Sequence, residues 1–190
     1  MPERYFRLMD DVSIPGRWEL GVPVDQQGRE VDDPWMFKNG VPVCIDGRLK
    51  VPIQLPGKAL DYSLAGIGVA PIIHVRAASL LKELAPNDVQ LFPVDINGQP
   101  DQFYILNATR VKKCIDDEAS EEVTYWAAED GQPEKVGQYQ GVHGMRIDPA
   151  RVGNAWIFRT WGWTIALIVS EEIKEALERI RATGVKFREV

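Results

Sequence analysis

The sequence predicts an α+β fold: a mixed or mostly antiparallel sheet with covering helices, preceded by a Pro/Gly-rich, loop-rich portion. Three observations carry this expectation. Ala77, Leu80, Leu81 and Leu84, and again Ile173, Ala176, Leu177 and Ile180, repeat at i, i+3, i+4, i+7, the spacing of one buried helix face. Short apolar runs lie around these helices, punctuated by turn-forming pairs such as Asn97-Gly98 and Asp130-Gly131. The first sixty residues are broken throughout by Gly and Pro, which favour turns and short extended pieces over long helices.

Residues 1–60 contain IPGRWELG, PVDQQG, DDPW, NGVPV and QLPGKAL, each setting a turn beside an aromatic or aliphatic anchor. Anchors of that size argue for an ordered segment docked on the core rather than a disordered tail. A single domain spanning 1–190, with residues 1–60 a loop-rich segment docked on the core, is the expected organisation, a length sufficient to bury a real core. Val69–Val75 is apolar and reads as a strand or as the lead into the first helix, which Pro86 stops. The GIG at Gly66–Gly68 does not match a dinucleotide fingerprint and reads as a tight turn.

Val89–Ile96 and Gln102–Val111 are expected strands joined through Asn97-Gly98, with Pro93 marking an edge strand or a bulge. Glu122–Ala127 is a further strand, and the stretch GQYQGVHGMRIDPARVG is expected to anchor on the main sheet through Ile147, Val152, Trp156, Ile157 and Phe158. AWIFR and TIALIVS flank TWGW as a strand pair. Ser170 then caps the second helix, and Glu171 and Glu172 favour its positive end. Glu175 and Arg179 are spaced for an i, i+4 ion pair worth about 0.2–0.5 kcal/mol. Gly184 ends the helix before a last strand at Val185–Val190, and no internal repeat is visible along the chain.

Asp and Glu outnumber Lys and Arg by 28 to 22, a formal charge of −6. That balance argues against direct nucleic-acid binding, which needs concentrated positive surface, and suits a basic protein partner. The opening MPERYFRLMDD lacks the apolar core of a secretory signal, and TIALIVS is too short to cross a bilayer. With two separated cysteines, Cys44 and Cys114, read as reduced structural thiols, a cytoplasmic location without membrane insertion is expected.

Catalytic signals are sparse. Only His74 and His143 are present, and no CxxC, HExxH, phosphate-loop or nucleophile-elbow pattern accompanies them, so no catalytic residue, cofactor or metal is expected. His74, in an apolar context, reads as a satisfied structural histidine. The strongest interaction candidate is residues 116–134, which hold Asp116, Asp117, Glu118, Glu121, Glu122, Glu129, Asp130 and Glu134 with no Lys or Arg among them. Tyr125 and Trp126 interrupt that charge with aromatic surface, combining a charged rim with an anchor that can be desolvated. A plain solvated hairpin with Trp126 turned to the core is the simpler alternative.

Trp156, Trp161 and Trp163 form a second aromatic concentration, suited to packing or to a pocket in which His143, Arg146 or Arg159 supplies polar recognition. Arg146 and Arg159 carry the right chemistry for phosphate, although no glycine-rich cradle surrounds them. A His143 general base with Asp148 would define a small-molecule enzyme if folding brought them together with Arg146 beside an open cleft.

Several longer segments resemble the Imm11 group of bacterial immunity proteins, formerly a domain of unknown function associated with myxobacterial sequences. They are PGRWELG, DDPWMFKNG, LDYSLAGIGVA, LAPNDVQLFPV, KVGQYQGVHGMRID, FRTWGWTIALIVSEEIKEAL and the ending TGVKFREV, covering nearly the whole chain. The resemblance implies an immunity protein that binds and neutralises a toxin of its own or kindred bacteria, with an acidic surface like those used against basic toxins, and it carries no catalytic residues over. A non-toxin regulatory or self-assembling protein, as a homo-oligomer, is the further alternative.

Overall fold

The computed structural model describes residues 4–66, 68 and 70–190. Its framework is two five-stranded sheets, each antiparallel except for one short parallel edge strand. The first contains β1 (Tyr5–Asp10), β9 (Val111–Lys112), β12 (Ile157–Thr160), β13 (Trp163–Ser170) and β14 (Val185–Glu189), in the order β14-β1-β13-β12-β9. The second contains β3 (Leu49–Lys50), β5 (Tyr62–Ala65), β6 (Ala70–His74), β7 (Val89–Asp95) and β8 (Phe103–Ala108), in the order β3-β7-β8-β6-β5. Two antiparallel pairs lie outside them: β2 (Glu19–Leu20) with β4 (Ile53–Leu55), and β10 (Glu122–Tyr125) with β11 (Tyr139–His143).

Both helices start without a connecting residue from the strand before them. In α1 (Val75–Leu84) the His74 imidazole caps by accepting from the Arg76 amide, and in α2 (Glu171–Arg179) the Ser170 hydroxyl accepts from Ile173. Each cap satisfies one of the donors a helix leaves unpaired at its start. The apolar faces predicted from the spacing are the buried ones: Ala77 and Leu81 in α1, and Ile173, Ala176 and Leu177 in α2.

The same topology occurs twice. Strands β5 and β6, helix α1, then β7 and β8 lie in the order β7-β8-β6-β5, and β12, β13, α2, β14 and β1 repeat that order as β14-β1-β13-β12. The second copy is completed by the chain's first strand. Hydrogen bonds outside the ladders match as well. Val75 donates to the Gln102 carbonyl at 2.9 Å as Glu171 donates to Arg4 at 3.0 Å, and Thr109 donates to Asp88 as Asp11 donates to Gly184, both at 2.8 Å. The absence of a visible sequence repeat has a physical reason: equivalent positions share burial, not identity. Tyr62 and Ile157, Leu106 and Leu8, Ala77 and Ile173, and Leu81 and Leu177 occupy one shared inner core in these pairs.

Loop-rich chain with short strands, β10 and β11 among them, covers the outer face of each sheet. Trp18, Leu20, Phe37 and Val51, from the Pro/Gly-rich portion, pack on Ile72, Phe103 and Ile105 of the second sheet. Cys114, Tyr139, Val142, Met145, Ile147 and Val152 do the same for Tyr5, Phe158 and Ile168 of the first. Trp18 also donates from its indole nitrogen to Ser63 at 2.8 Å, so the largest buried side chain carries its polar group with it.

Several local expectations need correcting. The strand expected over Gln102–Val111 breaks after Ala108, because Asp88 takes the Thr109 amide and the chain crosses to the first sheet as β9. Val69, at the start of the expected Val69–Val75 segment, and Ile67 of the GIG turn lie outside the described residues. Pro93 sits where β7 is an edge, since β3 pairs only with Val94 and Asp95. The ion pair on α2 is Lys174–Glu178 at 2.8 Å rather than Glu175–Arg179.

The end of α2 also differs. Ala182 donates to the Leu177 carbonyl and Arg181 to Glu178, with Arg181 at φ 53°, a left-handed helix termination ahead of Gly184. Gly184 serves packing instead: at φ +84° a Cβ there would stand 2.1 Å from the Tyr62 carbonyl oxygen. An Arg181→Gly substitution relieves the left-handed strain and is expected to raise stability by about 0.5–1 kcal/mol, read as a higher urea midpoint at unchanged slope.

Candidate functional site

The cover over the first sheet is built around one carboxylate. Asp116 opens a turn in which its side chain accepts from the Glu118 and Ala119 amides, both at 3.1 Å, and the Ser120 hydroxyl closes it onto the Asp116 carbonyl. The next residue, Asp117, then faces a tyrosine pair. Tyr139 donates its phenol to Asp117 at 2.6 Å, Tyr125 donates to the other carboxylate oxygen, and the two rings stack 4.9 Å apart. Burial, followed by the Asp117 hydrogen bond, pushes the Tyr139 phenol far above its ordinary range, and the Asp117 hydrogen bond raises Tyr125. Both phenols therefore stay protonated donors across the physiological range.

These groups line a cleft of about 470 Å³. Asp116, Asp117, Glu118 and Tyr125 contribute to it from the acidic segment, Trp161 joins from the β12–β13 turn, and Lys113 and Arg151 set two cations beside the three carboxylates. Trp161 is positioned by donating its amide to Lys112, while Tyr139 donates to Gly162. The sequence places this tryptophan in a separate aromatic group; the fold carries it to the acidic cleft. Trp161 is 39% exposed and Tyr125 42%, and the Lys113 ammonium stands 4.5 Å from the Trp161 ring centre. Tryptophan and tyrosine are residue types enriched at interface hot spots.

The other residues of the acidic segment lie apart from the cleft. Glu121 packs beside Gly144, and Glu122 stands opposite His143 at the far end of the β10–β11 pair. Glu129 and Asp130 occupy a short 3-10 turn beyond β10, where Asp130 accepts from the Ala127 amide at 2.8 Å. Trp126 belongs to no core cluster; it is half-buried with Lys135 5.0 Å from its ring centre. Trp163 packs against the outer core of the first sheet and Trp156 against the inner core.

His143, Asp148 and Arg146 do not converge. The Asp148 carboxylate accepts from the Ala150 amide and pairs with Arg151 at 3.1 Å, Arg146 reaches the Glu189 carbonyl, and His143 is exposed on β11. His74 is structural: its Nδ1 accepts from the Arg76 amide, and its Nε2 lies 3.2 Å from an Asp101 carboxylate oxygen. Among the described residues no group of three or more His, Cys, Asp or Glu could hold a metal ion, and no helix is long and apolar enough to cross a membrane.

The two cysteines differ, correcting the reading of both as structural. Cys114 is buried and desolvation pushes its thiol up to about 12, whereas Cys44 is exposed. One thiol per native chain is expected to react with a disulfide reagent at pH 8, and two after denaturation.

Residues 64–190 match the model of a family described as the immunity protein family Imm11. No curated protein matches the chain.

Proposed function

The chain belongs to the Imm11 immunity protein family, and we propose that it protects its cell by binding a protein toxin stoichiometrically through the acidic cleft, holding the toxin inactive. The observation that carries this reading is the open tyrosine–tryptophan surface set beside Asp116, Asp117 and Glu118 in a concave site. A carboxylate rim steers a basic partner, and the partly exposed aromatics supply the area whose desolvation holds it. The partner proposed is accordingly a basic bacterial toxin, met in the cytoplasm. The asymmetry of the two covers supports this choice of face, because the cover of the second sheet has no comparable carboxylate-bound tyrosine pair among the described residues.

The test starts from proteins that co-purify with the chain at one-to-one stoichiometry from its native cells. The strongest is expressed in a naive host with and without the chain while survival is counted. Death with the partner alone and survival with both is the expected result. A partner harmless by itself would instead make the protein a regulatory or assembly factor.

A further inference from the structure

The first sheet opens at one place. Strands β1 and β13 stop pairing after Leu8–Leu167, although β1 runs on to Asp10 and β13 begins at Trp163. A second cleft, of about 440 Å³, fills the gap between this opening and β5 and β6 of the other sheet. It lies where the two topological halves meet. Leu64 and Arg159 hold equivalent positions in the two copies, as do Pro71 and Leu167, and all four line it.

Its charge runs against the charge of the protein. Arg7, Lys38, Arg159, Lys186 and Arg188 line it, with Asp10 as the only lining carboxylate among the described residues, in a chain of net charge −6. Asp10 is already bonded to Arg17 at 3.0 Å. None of the five cations forms an ion pair among the described residues.

Arg159 is the unusual member. It is 2% exposed, where the equivalent position of the other half is apolar Leu64. Its guanidinium has two carbonyl partners, Ile165 and Phe37, each at 3.3 Å, and its Nε is buried without any. A buried arginine normally keeps a carboxylate, since an uncompensated interior charge costs several kcal/mol. Burial, and then the neighbouring Arg7 charge, bring Arg159 down to about 10, while Lys38 is lowered by burial and by Arg159. Five basic side chains thus face one cleft with no ion-pair partner among the described residues.

The geometry points to a binding site for a small organic phosphate carrying at least two negative charges, with the phosphates held by Arg159 and the mouth cations and the organic body against the apolar wall. Guanidinium forks match phosphate oxygens in geometry, the volume falls within the range of small-ligand sites, and junctions between structural halves commonly carry such sites. Exposed Val12 and Ile165 at the rim and buried Leu8, Pro71 and Leu167 further in supply the apolar wall. This site is separate from the acidic cleft and does not rest on the toxin-binding reading.

Calorimetry and thermal melts with pyrophosphate and with ADP, at low ionic strength and with sulfate at matched ionic strength as control, test it. One equivalent of ADP or pyrophosphate is expected to bind and raise the melting temperature, and sulfate to do neither. The Lys186→Ala/Arg188→Ala protein, altered only at exposed positions, is expected to bind at least about tenfold more weakly. Arg159→Met is expected to lose binding altogether; should that variant fail to fold, the exposed double variant decides. Absence of binding by both probes at millimolar concentration, or equal binding by wild type and the double variant, would overturn the assignment.

Discussion

Asp88→Ala is expected to lower the unfolding free energy by about 3 kcal/mol, among the largest single-site losses in this protein. Asp88 is 4% exposed and its carboxylate accepts from the Trp156 amide at 2.7 Å, the Ile157 amide at 3.4 Å and Arg110 at 3.0 Å. It is a tie from the loop after α1 to the strand that opens the second half. Alanine leaves those amides buried without an acceptor, which costs their desolvation as well as the lost bonds. Asp88→Asn keeps one acceptor oxygen and is expected to lose roughly half as much. Chemical denaturation monitored by tryptophan fluorescence measures both.

Asp61 ties the halves in the reverse direction. It accepts from the Thr183 amide and hydroxyl, both at 2.8 Å, and from Arg76 at 3.0 Å. Burial pushes the Asp61 carboxyl up, but the Thr183 and Arg76 bonds together outweigh it and hold the group below its ordinary value of 3.8. A depressed carboxyl stabilises fully above its unfolded pKa and loses that contribution as pH falls through the folded one. The acid limb of the stability curve below about pH 4 is therefore expected to flatten in Asp61→Asn.

The second large effect concerns the acidic cleft. Glu118→Lys combined with Trp161→Ala is expected to weaken the toxin complex by at least about a hundredfold, roughly 2.7 kcal/mol, with the isolated protein as stable as wild type to within about 0.5 kcal/mol. Both side chains are exposed, and neither bonds the tyrosine pair, so the cleft keeps its shape. Glu118→Lys alone should act mainly on the association rate and become less costly at high salt, whereas Trp161→Ala alone should speed dissociation at any salt. Glu129→Lys, on the turn outside the cleft, is the matched control and should cost little.

What the sequence made legible follows the range of the interactions involved. The segment from β12 through α2 to β14 could be read in advance because apolar runs, a serine cap and helical spacing lie within thirty residues of one another. Strand β1 could not. YFRLMD is short, and its place in the middle of a sheet depends on β13 and β14 at the other end of the chain. The duplicated topology escaped for a related reason, since an inner-core position tolerates Tyr62 in one half and Ile157 in the other as long as total volume is kept.

The candidate site was legible in part. Asp116, Asp117, Glu118 and Tyr125 are local in sequence and arrive in one cleft, while Trp161 reaches it only through the β12–β13 turn. The five residues Glu121, Glu122, Trp126, Glu129 and Asp130 share the charge pattern but are turned elsewhere by the β10–β11 pair and the turn beyond it. Arg159 looked like an ordinary strand residue with phosphate chemistry to offer. Its burial without a carboxylate is a fact of tertiary packing, which no local pattern encodes.

Hydrogen exchange on the complex with the captured toxin tests the central claim most directly. Binding through the acidic cleft predicts slowed exchange at residues 113–126 and 160–163, with β7 and β8 unchanged. Protection confined to the outer cover of the second sheet, with residues 113–126 exchanging as in the free protein, would contradict it.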